Sequence, residues 1–116
     1  MHVAGAAKLF AVRALWRATG LQAAGRALVR ALGSKDEDLR AIAGMFLVKA
    51  GRDAEPLLHE ALGRRENLPM ILTVLGDLRD TRLEPEIREL SHDGDPTVAK
   101  AAREALRLLT HDLRSP

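Results

Sequence analysis

ALGSKDEDLRAIAGMFLVKAGRDAEPLLHE, residues 31–60, lies over ALGRRENLPMILTVLGDLRDTRLEPEIREL, residues 61–90, with small slips, and SHDGDPTVAKAAREALRLL from Ser91 continues the pattern. The period is roughly 30 residues, the length of a short helix, a turn and a longer helix. One such unit is too small to bury its own apolar face, so neighbouring units must stack. The register therefore predicts an all-α fold: a right-handed α-solenoid of about three helical pairs, preceded by one extra N-terminal helix. A single domain is expected over 1–116, with the N-terminal helix at 1–19, repeats at 20–110 and a tail at 111–116.

Local chemistry supports the helices. Ala, Leu, Arg and Glu dominate, and no stretch alternates β-branched and polar residues as a strand would. Breakers at Thr19-Gly20, Gly33-Ser34, Gly51-Arg52, Gly63-Arg64, Asp80-Thr81 and His92-Asp93-Gly94 leave helices near 4–18, 21–32, 36–50, 54–62, 67–79, 83–91 and 96–110. Ser34-Lys35-Asp36-Glu37 and Thr81-Arg82-Leu83-Glu84 fit the S/T-x-x-E capping box, in which hydroxyl and carboxylate satisfy orphan backbone donors. Asp95-Pro96 pairs an N-cap acceptor with a proline at the first helical position. Pro56, Pro69 and Pro85 fall in first turns, where a missing N–H costs little.

The stretches ALGRRENLPMILTVLGDLRDTRLEPEIREL and HDGDPTVAKAAREALRLL resemble HEAT-like repeats of the phycobilisome-lyase type. They share a Gly/Asp turn, a Pro early in the first helix, an Asp-Pro start and an Ala-rich second helix ending in Ala-Leu. The resemblance covers about residues 20–110 and implies the fold. It assigns no activity, because such repeats serve lyase subunits, scaffolds and nucleic-acid enzymes alike. Two features depart from it: Arg65-Glu66-Asn67 replaces the Asp-Pro start, and residues 39–50 lack the polar face of a second helix.

Composition narrows the chemistry. The chain has 116 residues, no cysteine and a net charge of +2. Disulfides, thiolate nucleophiles and cysteine-ligated metals are excluded. Lys8, Arg13 and Arg17 interrupt every apolar run near the N-terminus, so neither a signal-peptide core nor a membrane span of about 20 residues can be drawn. No membrane partner is expected, and the default location is cytoplasmic. A pI near 9.5 leaves polyanion binding open, while the scarcity of aromatics argues against base-stacking platforms.

No constellation points to catalysis. His2, His59, His92 and His111 have no second ligand at helical metal-binding spacing and read as surface residues. Asp93-Gly94-Asp95-Pro96 is what a turn followed by an N-cap demands. No glycine-rich stretch follows a strand to cradle phosphate. The expectation is a non-enzyme without cofactor or metal.

The long helices say more. In the last, Val98, Ala101, Ala102, Ala105, Leu108 and Leu109 form the inward stripe, leaving Lys100, Arg103, Glu104 and Arg107 outward. One repeat earlier the outward positions are Met70, Thr73, Val74 and Asp77, and one before that Ala41, Gly44, Met45 and Val48. Leu39, Ile42, Ala43, Phe46 and Ala50 then point inward. The same register puts Phe10, Arg13, Ala14 and Arg17 outward on the first helix, with Val12, Leu15 and Trp16 inward. In HEAT-like solenoids the second helices line the concave face, so these residues imply a strip running from apolar to basic.

Small residues at Ala41 and Gly44 permit close backbone approach, and methionine adapts to irregular surfaces. The functional expectation is a protein–protein interaction module or scaffold that binds a partner helix or peptide through Ala41, Gly44, Met45, Val48, Met70, Thr73 and Val74. A homodimer through the N-terminal helix is also expected, because that helix is apolar on more than one side. The competing readings are a nucleic-acid module using Arg13, Arg17, Lys100, Arg103 and Arg107 as phosphate contacts, and an accessory subunit of an enzyme.

Overall fold

The computed structural model describes the backbone of residues 3–114 and the side chains of residues 5–110; His2 and the His111 side chain lie outside the described residues. Among the described residues, seven α-helices follow one another: α1 (Val3–Thr19), α2 (Gln22–Ala31), α3 (Glu37–Ala50), α4 (Glu55–Gly63), α5 (Leu68–Leu78), α6 (Glu84–Leu90) and α7 (Pro96–Arg114). No strand occurs among the described residues. Among the described residues, no helix is long and apolar enough to cross a membrane. The last helix runs on to Arg114, past the end expected at residue 110.

Sequence self-similarity has a counterpart in the element series. A long helix, a 3-10 turn and a short helix occur as α3, Gly51–Asp53 and α4, and again as α5, Thr81–Leu83 and α6. Buried Ala54 follows the first turn and half-buried Leu83 closes the second, and each leads into a Glu-Pro helix start. Proline there sits in the first turn, where no intrahelical bond is lost.

The capping chemistry differs from the S/T-x-x-E reading. Asp36, not Ser34, is the N-cap of α3: its carboxylate accepts from the Asp38 N–H at 2.9 Å and the Leu39 N–H at 3.4 Å. Ser34 Oγ accepts from the Asp36 N–H instead, forming the turn that leads in. A carboxylate wins because it brings a full charge to the positive end of the helix dipole. Asp80 likewise displaces Thr81, accepting from the Arg82 N–H at 3.0 Å and capping the 3-10 turn. The Asp95 cap of α7 forms as expected, with Thr97 N–H donating at 2.9 Å.

The chain divides into two compact units, one ending at Leu57 and the other starting at Leu58. In the first, α2 packs on α1 and α3, and α1 also packs on α3. Its core includes Leu9, Trp16, Leu28, Val29, Leu32, Ala43, Phe46 and Leu47. Gly25 is required where α2 meets Trp16, since an added Cβ would lie 2.8 Å from the indole and collide with Leu57. In the second unit α7 packs on α5 and α6, burying Ile71, Leu72, Leu75, Ile87, Val98, Ala102, Ala105 and Leu109. Gly76 lets the α7 backbone approach, its virtual Cβ lying 3.1 Å from Ala105 Cα. Small facing residues bring the two helix axes together and exclude water between them.

Candidate interaction surface

In the first unit, α3 presents Ala41, Met45 and Lys49 to solvent, a row at i, i+4 and i+8 on one side of the helix. Gly44 and Val48 flank that row and are half-buried. The core stripe of α3 is Ala43, Phe46 and Leu47, with Leu39, Ile42 and Ala50 half-buried at its edges. Leu47 is missing from the inward set expected from periodicity. It is nonetheless fully enclosed.

The first helix buries only a narrow stripe, Leu9 and Trp16, against its neighbours. Leu15, expected inward, is 47% exposed, because one residue before Trp16 the chain turns about 100° off that stripe. Phe10 is 55% exposed, yet it meets the buried Phe46 edge-to-face with ring centroids 4.9 Å apart. That geometry places the positive edge of one ring over the negative face of the other. Ala7, Ala11, Ala14 and Ala18 are exposed around it, so the outward side of α1 is apolar between its cations.

A groove of about 610 Å³ runs between α1 and α3, lined by Phe10, Arg13, Ala14, Arg17, Phe46 and Lys49. A cleft of about 440 Å³ shares Arg13, Arg17 and Lys49 and adds Arg52 and a single carboxylate, Asp53. The Arg13 guanidinium lies 5.4 Å from the Trp16 ring centroid, a cation–π contact that holds it along the groove wall. Among the described residues, Arg13, Arg17 and Lys49 form no ion pair. Arg17 and Lys49 occupy the last turns of their helices, where positive charge offsets the dipole. Arg13, one turn earlier, has no such role.

The second unit presents a different surface. Thr73 and Asp77 are exposed on α5 and Met70 is half-buried, but Val74 is 2% exposed and cannot meet a partner. The expected placement fails because α5 is enclosed on most of its circumference, with Leu68, Ile71, Leu72, Leu75 and Gly76 also buried. Only the 70–73–77 row escapes, and Thr73 Oγ1 there donates back to the Pro69 carbonyl at 2.9 Å. On α7 the cations Lys100, Arg103 and Arg107 are exposed as read from the sequence. Arg103 donates to the Ser91 carbonyl at 3.2 Å, and Arg107 pairs with Glu104. Two of the three cations expected to meet phosphate are thus engaged locally.

The polar contacts of the second unit bind its own turns together. His59, read as a surface residue, is half-buried and its Nε2 lies 3.0 Å from Oδ2 of the buried Asp80. The 21-residue separation gave no local spacing signal. Arg65, held with φ near 57°, reaches Asp93 at 3.0 Å. The Asp93 carboxyl is held below its usual range, first by the N–H of Asp95 and then by Arg65. Asp93, Glu86 and Glu89 line a shallow cleft of about 440 Å³ with Leu62, Leu83 and Leu90. No group of His, Asp and Glu suited to a metal occurs among the described residues. Compared with protein families, with curated proteins and with solved structures, the chain matches none.

Proposed function

We propose that the chain is a non-catalytic interaction module, and that the surface formed by α1 and α3 receives a helical segment of another protein. The observation that carries this reading is the distribution of exposed apolar side chains. Phe10, Leu15, Leu21 and Met45 are the large apolar residues that stand in water among the described residues, and all four precede residue 57. Of these, Phe10 lies in the groove between α1 and α3 and Met45 stands on the outer row of α3, and exposed apolar side chains gathered on one part of a chain mark an interface. Residues Ala41, Gly44, Met45 and Val48 stay in the proposed contact, joined by Phe10 and Ala14, while Val74 leaves it. The recurring series of long helix, 3-10 turn and short helix supports reading the chain as HEAT-like repeats stacked in a right-handed solenoid; the same reading sets it in the cytoplasm.

Of the five cations a nucleic-acid reading would use, Arg103 and Arg107 are already engaged within the second unit. The test is quantitative affinity capture with wild-type, Met45→Glu and Thr73→Glu chains, read by mass spectrometry. A protein retained by wild type and Thr73→Glu but absent from Met45→Glu supports the reading. Equal retention by all three chains overturns it. Sedimentation of the free protein distinguishes self-association through α1, which would show as a concentration-dependent dimer lost on Leu15→Glu substitution.

A further inference from the structure

The chemistry of the occupant is written in the charges around the groove. Residues 1–35 contain Lys8, Arg13, Arg17, Arg26, Arg30 and Lys35 and not one acid; the first carboxylate of the chain is Asp36. Through Leu57 the sequence holds nine cations and five acids, a net +4, and from Leu58 onward nine cations and eleven acids, a net −2; these sum to the +2 of the whole chain. The groove between α1 and α3 lies within the positive unit.

We propose that the segment seated in this groove is an amphipathic helix whose polar edge is acidic. The inference rests on the interaction reading above and adds its charge. Arg13 and Arg17 are one helical turn apart, and Lys49 faces the same groove from α3. Carboxylates at i and i+4 of an incoming helix are separated by about 6 Å, the spacing that meets two such cations. The apolar edge of that helix covers Phe10, Ala14 and the exposed side of the Phe10–Phe46 pair. Exposed Met45, one turn before Lys49 on α3, extends the apolar contact. Asp53 is the one acid lining the adjoining cleft, and among the described residues it forms no ion pair with Arg13, Arg17 or Lys49. A nucleic-acid strand would use the cations but leave the apolar floor and Met45 uncovered.

The experiment is selection from a displayed library of helical peptides, about 18 residues long and randomised on one face, against the full-length protein. Winning sequences are then titrated by calorimetry against wild-type, Arg17→Glu/Lys49→Glu and Met45→Glu chains, with a single-stranded oligonucleotide titrated in parallel. Arg17 and Lys49 are exposed, so the double variant keeps its fold, checked by circular dichroism. The expected result is enrichment of Asp or Glu three or four residues apart beside Leu, Ile or Met. Affinity for those peptides should fall at least tenfold in the double variant and in Met45→Glu, since close charge pairs at interfaces couple strongly. Winners without acidic enrichment, bound equally by the double variant, overturn the acidic claim while leaving an apolar interaction surface standing. Recovery of no peptide together with tight, steeply salt-dependent oligonucleotide binding overturns both readings. A stable dimer of the free chain that excludes every peptide assigns the groove to a second copy and overturns the proposal.

Discussion

The two units are built of the same kind of helix and differ in what they leave outside. In the unit ending at Leu57, Phe10, Leu15, Leu21 and Met45 stand exposed, and the cations that line its groove form no ion pair among the described residues. In the unit from Leu58 onward no large apolar side chain among the described residues stands exposed, and several charges engage its own turns and helices: Arg65 with Asp93, Arg103 with the Ser91 carbonyl, Arg107 with Glu104, His59 with Asp80. A surface whose polar groups are mutually satisfied gains little from a partner. One whose apolar groups are wet and whose cations are unpaired gains both burial and charge pairing when covered.

The largest effects should come from the cores, where the units ought to behave alike. Phe46→Glu places an uncompensated carboxylate at a 6% exposed site beneath Phe10 and is expected to abolish cooperative folding, lost signal in thermal denaturation being the readout. In the second unit Leu75→Ala removes a fully enclosed side chain and should cost about 2–5 kcal/mol in urea denaturation. If Phe46→Glu folds normally while Leu75→Ala does not, the first unit has no core of its own and the comparison breaks.

Glycine contacts give a finer test. Gly76→Ala forces a methyl against the Ala105 backbone and should destabilise by about 1–3 kcal/mol. Asp80→Ala removes both the acceptor for the Arg82 N–H and the partner of half-buried His59, with a cost of about 1–2 kcal/mol expected for a lost cap and a lost part-buried hydrogen bond. Retention of wild-type stability by Asp80→Ala would mean that the pair contributes nothing to the second unit's cohesion.

The smallest effect is a pH dependence in the second unit. The Asp93 carboxyl titrates below the ordinary aspartate value in the folded chain, so its contribution is present above about pH 4 and is lost as pH falls through the lowered folded value. A carbon-detected NMR titration should show its midpoint below that of the same residue in the unfolded chain. Arg65→Ala should move the midpoint up only in part, because the Asp95 N–H, the larger cause, remains.

How far the sequence announced this arrangement can be judged residue by residue. The helices were legible because breakers and prolines punctuate them, and the inward stripe of α7 was legible because its alanines and leucines recur at helical spacing. The start of α3 fell within one residue of the expected 36, but its cap was misplaced by two, since Ser34 and Asp36 both offer cap chemistry and only the backbone path decides between them. Val74 and Leu15 were misassigned for one shared reason. Periodicity gives the phase of a helix but not how much of its circumference neighbours will cover, and α5 is enclosed almost all round whereas α1 buries a narrow stripe. The His59–Asp80 and Arg65–Asp93 pairs join residues 21 and 28 positions apart and carry no local pattern. The charge imbalance of residues 1–35 was fully visible in the sequence, and only the groove gave it a place.

The central claim, that binding belongs to the first unit and not to the second, meets its most direct test in the methionine methyl groups. The chain has three methionines: Met1, Met45 on the exposed row of α3, and Met70 on the outer row of α5. With methyl-labelled methionine, NMR titration with a captured partner or a selected acidic helical peptide should shift the Met45 resonance progressively to saturation. Met70 should stay in place. Movement of Met70 with Met45 unchanged, or no movement of either at saturating ligand, would contradict the account.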